Sequence, residues 1–297
     1  MDTPRGGALR RLTAVARCSS RVWALVGALI AAGAAPGWAQ DSADPNPGAV
    51  TVTGGVDVLN AYFFRGIPQD DSGVIVWPYG DVGFSLFSGE GGVRSVGANV
   101  GMWNSLHTGG AGTDGPSGKL WYESDFYATL GFGFAGGTSL GVTYTAYNSP
   151  NGMFGTVKEI SVKVAVDDSG ALGAASVKPY LVLARELDGQ ADGGASEGTY
   201  LELGIGPGYA GSKANLTFPV KAGLSLGDYY EGPTGDEAFG FFSVGGLVTV
   251  PFSSMPTRVG SWNIHGGVEF LMLGDRNEAV YGDSSHVIGS VGIGFTY

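Results

Sequence analysis

Hydrophobic and polar positions alternate with period two along most of the chain, and the last eleven residues show it most plainly. Val287, Val291, Ile293, Phe295 and Tyr297 share one parity, while Ser290, Gly292, Gly294 and Thr296 share the other; only Ile288 and Gly289 interrupt it. Such alternation places one set on each face of a strand. Eleven further segments of roughly ten residues repeat it, each followed by a turn. The twelve cover about 50–66, 74–87, 93–106, 119–132, 138–148, 157–166, 176–187, 199–206, 214–226, 239–250, 259–272 and 286–297. In 157–166, Ile160, Val162, Val164 and Val166 alternate with Glu159, Ser161, Lys163 and Ala165. Beyond residue 39 no continuous apolar run has the roughly 20 residues of a spanning helix.

Repeated alternating segments predict an all-β fold: a closed antiparallel transmembrane β-barrel of about 12 strands over 50–297. Ten or fourteen strands would follow from one hairpin split or merged. In such a barrel the apolar face meets lipid and the polar face lines the lumen, the inverse of a soluble barrel. The connections alternate too. Those after odd-numbered strands are mostly long, polar and acidic, as in 107–118, 188–198 and 227–238, and those after even-numbered strands are mostly tight, as in 88–92 and 133–137. Outer-membrane barrels have short periplasmic turns and longer outside loops. The expected closure pairs the last strand with the first, antiparallel, which brings His286 near Tyr62–Gly66. Aromatics near strand ends (Tyr62, Phe63, Phe64, Trp121, Tyr122, Phe241, Phe242, Tyr297) are expected to supply interfacial girdles.

Composition agrees with that compartment. Arg5, Arg10, Arg11, Arg17 and Arg21 precede an apolar stretch at 22–35, and Gly37-Trp38-Ala39 ends it with small residues where a signal peptidase reads. The reading is a secretory signal over 1–39, a polar periplasmic lead-in over 40–49, and a bacterial (Gram-negative) outer-membrane location. Cleavage leaves 258 of 297 residues and takes the formal charge from −11 to −15. That balance argues against nucleic-acid binding. The only cysteine, Cys18, leaves with the signal, so the mature chain has no disulfide or thiolate ligand. Fifty-four glycines exceed ordinary globular usage of about 7% and lack collagen's period. They suit the small-residue face of a curved sheet.

The most distinctive internal motif is 60–69, Asn-Ala-Tyr-Phe-Phe-Arg-Gly-Ile-Pro-Gln. Through Tyr62, Phe64, Arg65, Gly66 and Gln69 it resembles the first-strand motif, a Tyr-x-Phe-Arg-Gly core followed by Gln, of the TorF-like (Gcw_chp) family of outer-membrane porins. The resemblance implies a barrel with a transport role and supplies no substrate.

By parity, the expected lumen residues are Asp57, Arg65, Asp81, Asn99, Glu123, Asp125, Tyr127, Glu159, Lys163, Lys178, Glu202, Lys221, Asn263, His265 and Glu269. The set mixes signs, with acids leading, and it would fit either an open lumen or one filled by internal salt bridges. Segment 50–66 fits imperfectly, because Leu59, Ala61 and Phe63 share the parity of Asp57 and Arg65. The histidines are His107, two residues after Ser105, His265 and His286. None stands in the His-x-Ser order of barrel lipid hydrolases, although a Ser–His pair can meet in space. No ligand spacing suggests zinc, and no phosphate loop is present.

The expectation is therefore a barrel without catalytic residues, metal or cofactor that passes small solutes by passive diffusion. Its partners would be outer-membrane lipid, the small solutes, and the barrel-assembly machinery, which would read the C-terminal strand ending at Tyr297. The alternatives are a closed structural or adhesive barrel with acidic ligand-binding loops, and a lipid-modifying barrel enzyme using His265 or His286.

Overall fold

The structure is a computed structural model that describes residues 48–232 and 235–297. The expected signal at 1–39 and most of the lead-in lie outside the described residues. The chain forms a closed antiparallel barrel of twelve strands: β1 (Val50–Leu59), β2 (Ile75–Ser88), β3 (Val93–His107), β4 (Trp121–Phe134), β5 (Thr138–Asn148), β6 (Val157–Val166), β7 (Tyr180–Asp188), β8 (Thr199–Ile205), β9 (Val220–Gly227), β10 (Phe239–Pro251), β11 (Ser261–Leu273) and β12 (Ser285–Thr296). Each strand pairs with its sequence neighbours. Closure is made by β1 against β12, with Asp57 opposite Gly292 and Leu59 opposite Ser290. Both described chain ends lie at the end that holds the tight turns 89–92 and 135–137, although the longer connections 167–179 and 206–219 lie there too.

Neighbouring residues show which face is which. Thr129 is 4% exposed and Leu130 is 41%; Glu159 is 2% exposed and Ile160 is 41%. The apolar parity points outward all the way round, through Val56, Val100, Leu130, Ile160, Leu183, Leu203, Val248, Val268 and Val291. The polar parity points in, where Thr129 and Thr143 pair hydroxyls across β4 and β5 at 2.8 Å. A water-soluble barrel would be arranged the other way round. Glycines on the inner face make room for large neighbours. A Cβ at Gly204 would lie 2.3 Å from the Tyr180 ring, and one at Gly240 would lie 1.9 Å from the ring of Tyr230.

Several boundaries differ from the sequence reading. The strand expected over 176–187 begins at Tyr180, so Lys178 sits in the preceding turn, with φ of 49°. Asp168 organises that turn by accepting backbone N–H bonds from Val177 and Lys178. The segment 214–226 is interrupted. Asn215–Thr217 pairs with β10, the ladder breaks at Phe218-Pro219, and β9 resumes at Val220. Proline has no N–H to give a ladder, so the break falls there.

The largest difference is at the start. The strand expected over 50–66 stops at Leu59, and the chain then turns into the barrel. Asn60 substitutes for the lost strand pairing: its Nδ2 donates to the Val287 carbonyl (3.1 Å) and its Oδ1 accepts from Gly289 N–H (2.6 Å).

Candidate functional site: a lumen occupied by an inward hairpin

Residues 62–70 form a small hairpin inside the barrel, with Tyr62–Phe64 antiparallel to Ile67–Asp70. Its two turn residues, Arg65 and Gly66, have φ of 51° and 78°. Positive φ at both central positions is the two-residue turn whose twist suits a tight hairpin. Glycine adopts it without strain; Arg65 is held there by its contacts. A Cβ on Gly66 would also come within 2.8 Å of Phe241, so the close packing excludes a side chain as well.

Successive hairpin residues face opposite ways, as in any strand. Tyr62 packs with Leu59, Ile75, Trp77, Trp103, Ala111 and Tyr122, against β2–β4. Phe63 and Ile67 pack with Tyr200, Tyr229, Tyr230, Phe241 and Leu271, against β8–β11 and the loop after β9. The Tyr62 ring lies 5.1 Å from Trp77 and 5.5 Å from Trp103. Aromatic pairs at such separations add about 0.5–1.5 kcal/mol beyond their buried area. Four aromatics expected in the girdles, Tyr62, Phe63, Tyr122 and Phe241, are thus buried inside, because the hairpin needs partners. Trp121 and Tyr297 remain exposed on the outer surface.

Arg65 is the hairpin's polar anchor. Its guanidinium grips Glu159 with both arms, Nη1 to Oε2 at 2.6 Å and Nη2 to Oε1 at 2.8 Å, and Nη1 also donates to the Tyr229 hydroxyl at 2.8 Å. Tyr147 donates to the same carboxylate at 3.3 Å. The rings of Tyr200, Phe64 and Tyr229 stand 4.3, 5.0 and 5.5 Å from the guanidinium carbon. Bidentate Arg–carboxylate pairs are among the stronger and more directional contacts available. The sequence placed Arg65 in the lumen; the structure does so from a hairpin and not from the wall.

A second anchor fastens the hairpin's far end. Asp70 Oδ1 accepts from Ser72 N–H (3.0 Å) and Oγ–H (2.7 Å), and its Oδ2 accepts from Ala111 N–H (2.9 Å). Burial alone would raise the Asp70 carboxyl, but these bonds outweigh it and hold the group below its ordinary value. Asp70 Oδ2 is 3.0 Å from His107 Nδ1, and His107 Nε2 is 2.6 Å from Ser105 Oγ. The Trp77 indole donates to that same Oγ at 2.9 Å. The Tyr122 ring stacks on His107 at 4.3 Å, and the Tyr122 hydroxyl bonds Gln69. Ser105, His107 and Asp70 have the connectivity of a hydrolytic triad. However, neither Ser105 nor His107 has any exposed surface. In sequence only the Ser-x-His spacing was visible; Asp70 lies 37 residues away and arrives through the hairpin.

The remaining expected lumen residues fall into local pairs. His265 Nε2 lies 2.6 Å from Asp57, and its Nδ1 lies 2.8 Å from Asn263 Oδ1. Asn99 donates to Asp81 at 3.0 Å, and Tyr127 reaches the same carboxylate at 3.4 Å. Lys221 pairs with Glu269 at 3.2 Å. Glu202 accepts from Tyr200 (2.7 Å) and Tyr180 (2.9 Å), and Lys163 lies over the Tyr180 ring. Glu123 and Asp125 are buried, and Glu123 Oε2 and Asp125 Oδ1 have no hydrogen-bond partner among the described residues. Sequence reasoning missed the aromatic residues Tyr147, Tyr200, Tyr229 and Tyr230, whose roles depend on the hairpin. Among the described residues no group of three or more His, Cys, Asp or Glu is arranged to hold a metal ion.

Between the hairpin and the wall of β1 and β8–β12 lies a cavity of about 70 Å³, lined by the charged side chains Asp57, Arg65, Glu202, Lys221 and Glu269 and by the His265 imidazole. A single water needs roughly 10–15 Å³ on this measure, so the space suits a few waters or a small polar group.

No family model matches the chain, and no characterised relative does. Among solved structures it is similar to the translocator domain of the autotransporter NalP from Neisseria meningitidis, at 15% identity and a TM-score of 0.41 over 85% of this chain and 90% of that one. It is also similar to the NanC porin, at 11% identity and a TM-score of 0.37 over 83% of this chain and 99% of that one. A third is the outer membrane phospholipase A from Escherichia coli, at 11% and 0.43 over 82% and 92%. Likenesses this distant, to proteins of three different activities, carry no functional argument.

Proposed function

We propose that the protein is an outer-membrane β-barrel that passes small polar solutes by diffusion, through a lumen narrowed by the 62–70 hairpin. The observation that carries this reading is the charged cavity capped by Arg65. It joins lumen groups of both signs, as a selective passage requires, inside a barrel whose outer face is apolar. The motif shared with the TorF-like porins supports it: Tyr62, Phe64, Arg65, Gly66 and Gln69 all belong to the hairpin. In this reading the apolar belt meets outer-membrane lipid, and the strand ending at Tyr297 is offered to the assembly machinery. Planar-bilayer recording of the refolded protein tests it. Small, steady conductance steps are expected, and silence at every potential would overturn the passage.

One observation favours a second reading, a closed barrel that displays its acidic loops. The aromatic packing around Tyr62 and Tyr229 leaves the hairpin little freedom. The same recording separates the two. Ser105, His107 and Asp70 we read as a fastening: a nucleophile sealed under Tyr62, Trp77 and Tyr122 has no route to an ester. Unchanged hairpin protection in a Ser105→Ala variant that loses lipid turnover would reverse that assignment.

A further inference from the structure

Arg65 is held in the manner of a bound ligand. A wall residue takes its place from the strand ladder, but Arg65 sits at the tip of a two-residue turn and reaches across the lumen to β6. What receives it is a complete recognition site for a planar cation. Glu159 meets two guanidinium N–H groups with two oxygens, the Tyr229 hydroxyl takes a third bond, and the rings of Tyr200 and Tyr229 face the charge, while the Phe64 ring beside it belongs to the hairpin itself. Arg65 also lines the cavity, whereas Glu159, Tyr200 and Tyr229 are buried behind it, so the occupant itself is the face of the site that meets the space a solute would occupy.

Two further carboxyls lie near the site. Asp125 lies within electrostatic reach of both Glu123 and Glu159. Glu123 and Asp125 are 4% and 1% exposed; they share a side-chain hydrogen bond, and Tyr62 of the hairpin also bonds Glu123.

We infer that this cage is a lumen binding site for guanidinium and related flat organic cations, and that Arg65 is its tethered occupant. A free cation and the hairpin tip therefore compete for Glu159. A cation of this class arriving through the cavity would release the tip and widen the passage. This deepens the passage reading and rests on it for the route of entry; the binding step itself needs no conduction.

The test is calorimetric titration of the full barrel in detergent with methylguanidinium chloride, at ionic strength held constant with sodium chloride. Arg65→Gly empties the cage and keeps a residue suited to φ of 51°. Saturable binding at millimolar ligand is expected in this variant, abolished when Glu159→Gln is added. In the wild type it should be about tenfold weaker or more, because the occupant must first leave. Tetramethylammonium, which has charge but no N–H, should bind far less. Equal heats with and without Glu159, or no saturation, would overturn the proposal. If the glycine variant does not refold, Arg65→Lys carries the same test. It keeps the charge but loses the bidentate fork, so methylguanidinium should displace it more easily than in the wild type, and failure to do so would count against the site. Binding in a barrel that never conducts would sink the passage and leave this site standing; conduction without binding would do the reverse.

Discussion

The hairpin has two unlike neighbours. Toward β2–β4 it is packed solid: Tyr62, Trp77, Trp103 and Tyr122 fill the space, and Asp70, His107 and Ser105 form a chain with no exposed surface on the last two. Toward β1 and β8–β12 Phe63 and Ile67 are packed too, but there the hairpin also borders a cavity lined by Asp57, Lys221, His265 and Glu269. Arg65 stands between them, fixed by Glu159 from β6. The contrast separates what holds the hairpin from what it regulates. Contacts on the packed side and at Glu159 set its position; the charged cavity sets what passes beside it.

The largest expected effect comes from the anchor shared by both sides. Glu159→Ala leaves a buried guanidinium without its counter-charge, a loss of about 3–5 kcal/mol when the charge stays buried. Release of the hairpin is the cheaper response. Trypsin should then cut after Arg65 in the variant and spare it in the folded wild type. Continued protection would mean that the packed side alone holds the hairpin.

Gly66→Ala comes next. It forces a side chain into φ of 78° and within 2.8 Å of Phe241. Strain of this kind costs on the order of 1–3 kcal/mol, readable as a lower urea midpoint in detergent. An unchanged midpoint would show that the turn relaxes freely, contrary to a tightly seated tip.

Ser105→Ala acts on the packed side only. It strips partners from His107 Nε2 and the Trp77 indole, at about 1–3 kcal/mol for buried groups left unsatisfied. Stability should fall while solute passage stays as it was. A change in conductance without a change in stability would place Ser105 in the passage and not in the fastening.

The smallest effect is expected outside both regions. Lys158 and Asp188 form an exposed surface pair at 2.7 Å, and such pairs contribute little. Lys158→Ala should leave unfolding and conductance unchanged, which makes it the control for the other three.

How much of this was legible in the sequence follows from where each residue's partners come from. Ile160 and Glu159 face opposite ways because strand geometry makes them, so their parity was enough to find the wall and its two faces. Asp57 and His265 could likewise be placed in the lumen by parity, although their contact across 208 residues could not. The hairpin was misread as strand because Tyr62-Phe63-Phe64 continues the hydrophobic run beyond Leu59. Two signs pointed elsewhere. Leu59, Ala61 and Phe63 shared the parity of Asp57 and Arg65, and Arg65-Gly66 can form a two-residue turn. Neither says that the turn folds inward, since that depends on Glu159, Tyr229 and Asn60 acting from distant parts of the chain. The Asp70–His107–Ser105 chain was hidden for the same reason: its third member arrives only with the hairpin.

The most direct measurement is single-channel conductance of the wild type beside a variant in which residues 61–70 are replaced by a flexible Gly-Ser linker of equal length. With the hairpin inside the lumen, removing its side chains should raise the conductance several-fold and make it less selective between ions. Equal conductance and equal selectivity in the two proteins would contradict a lumen governed by this hairpin.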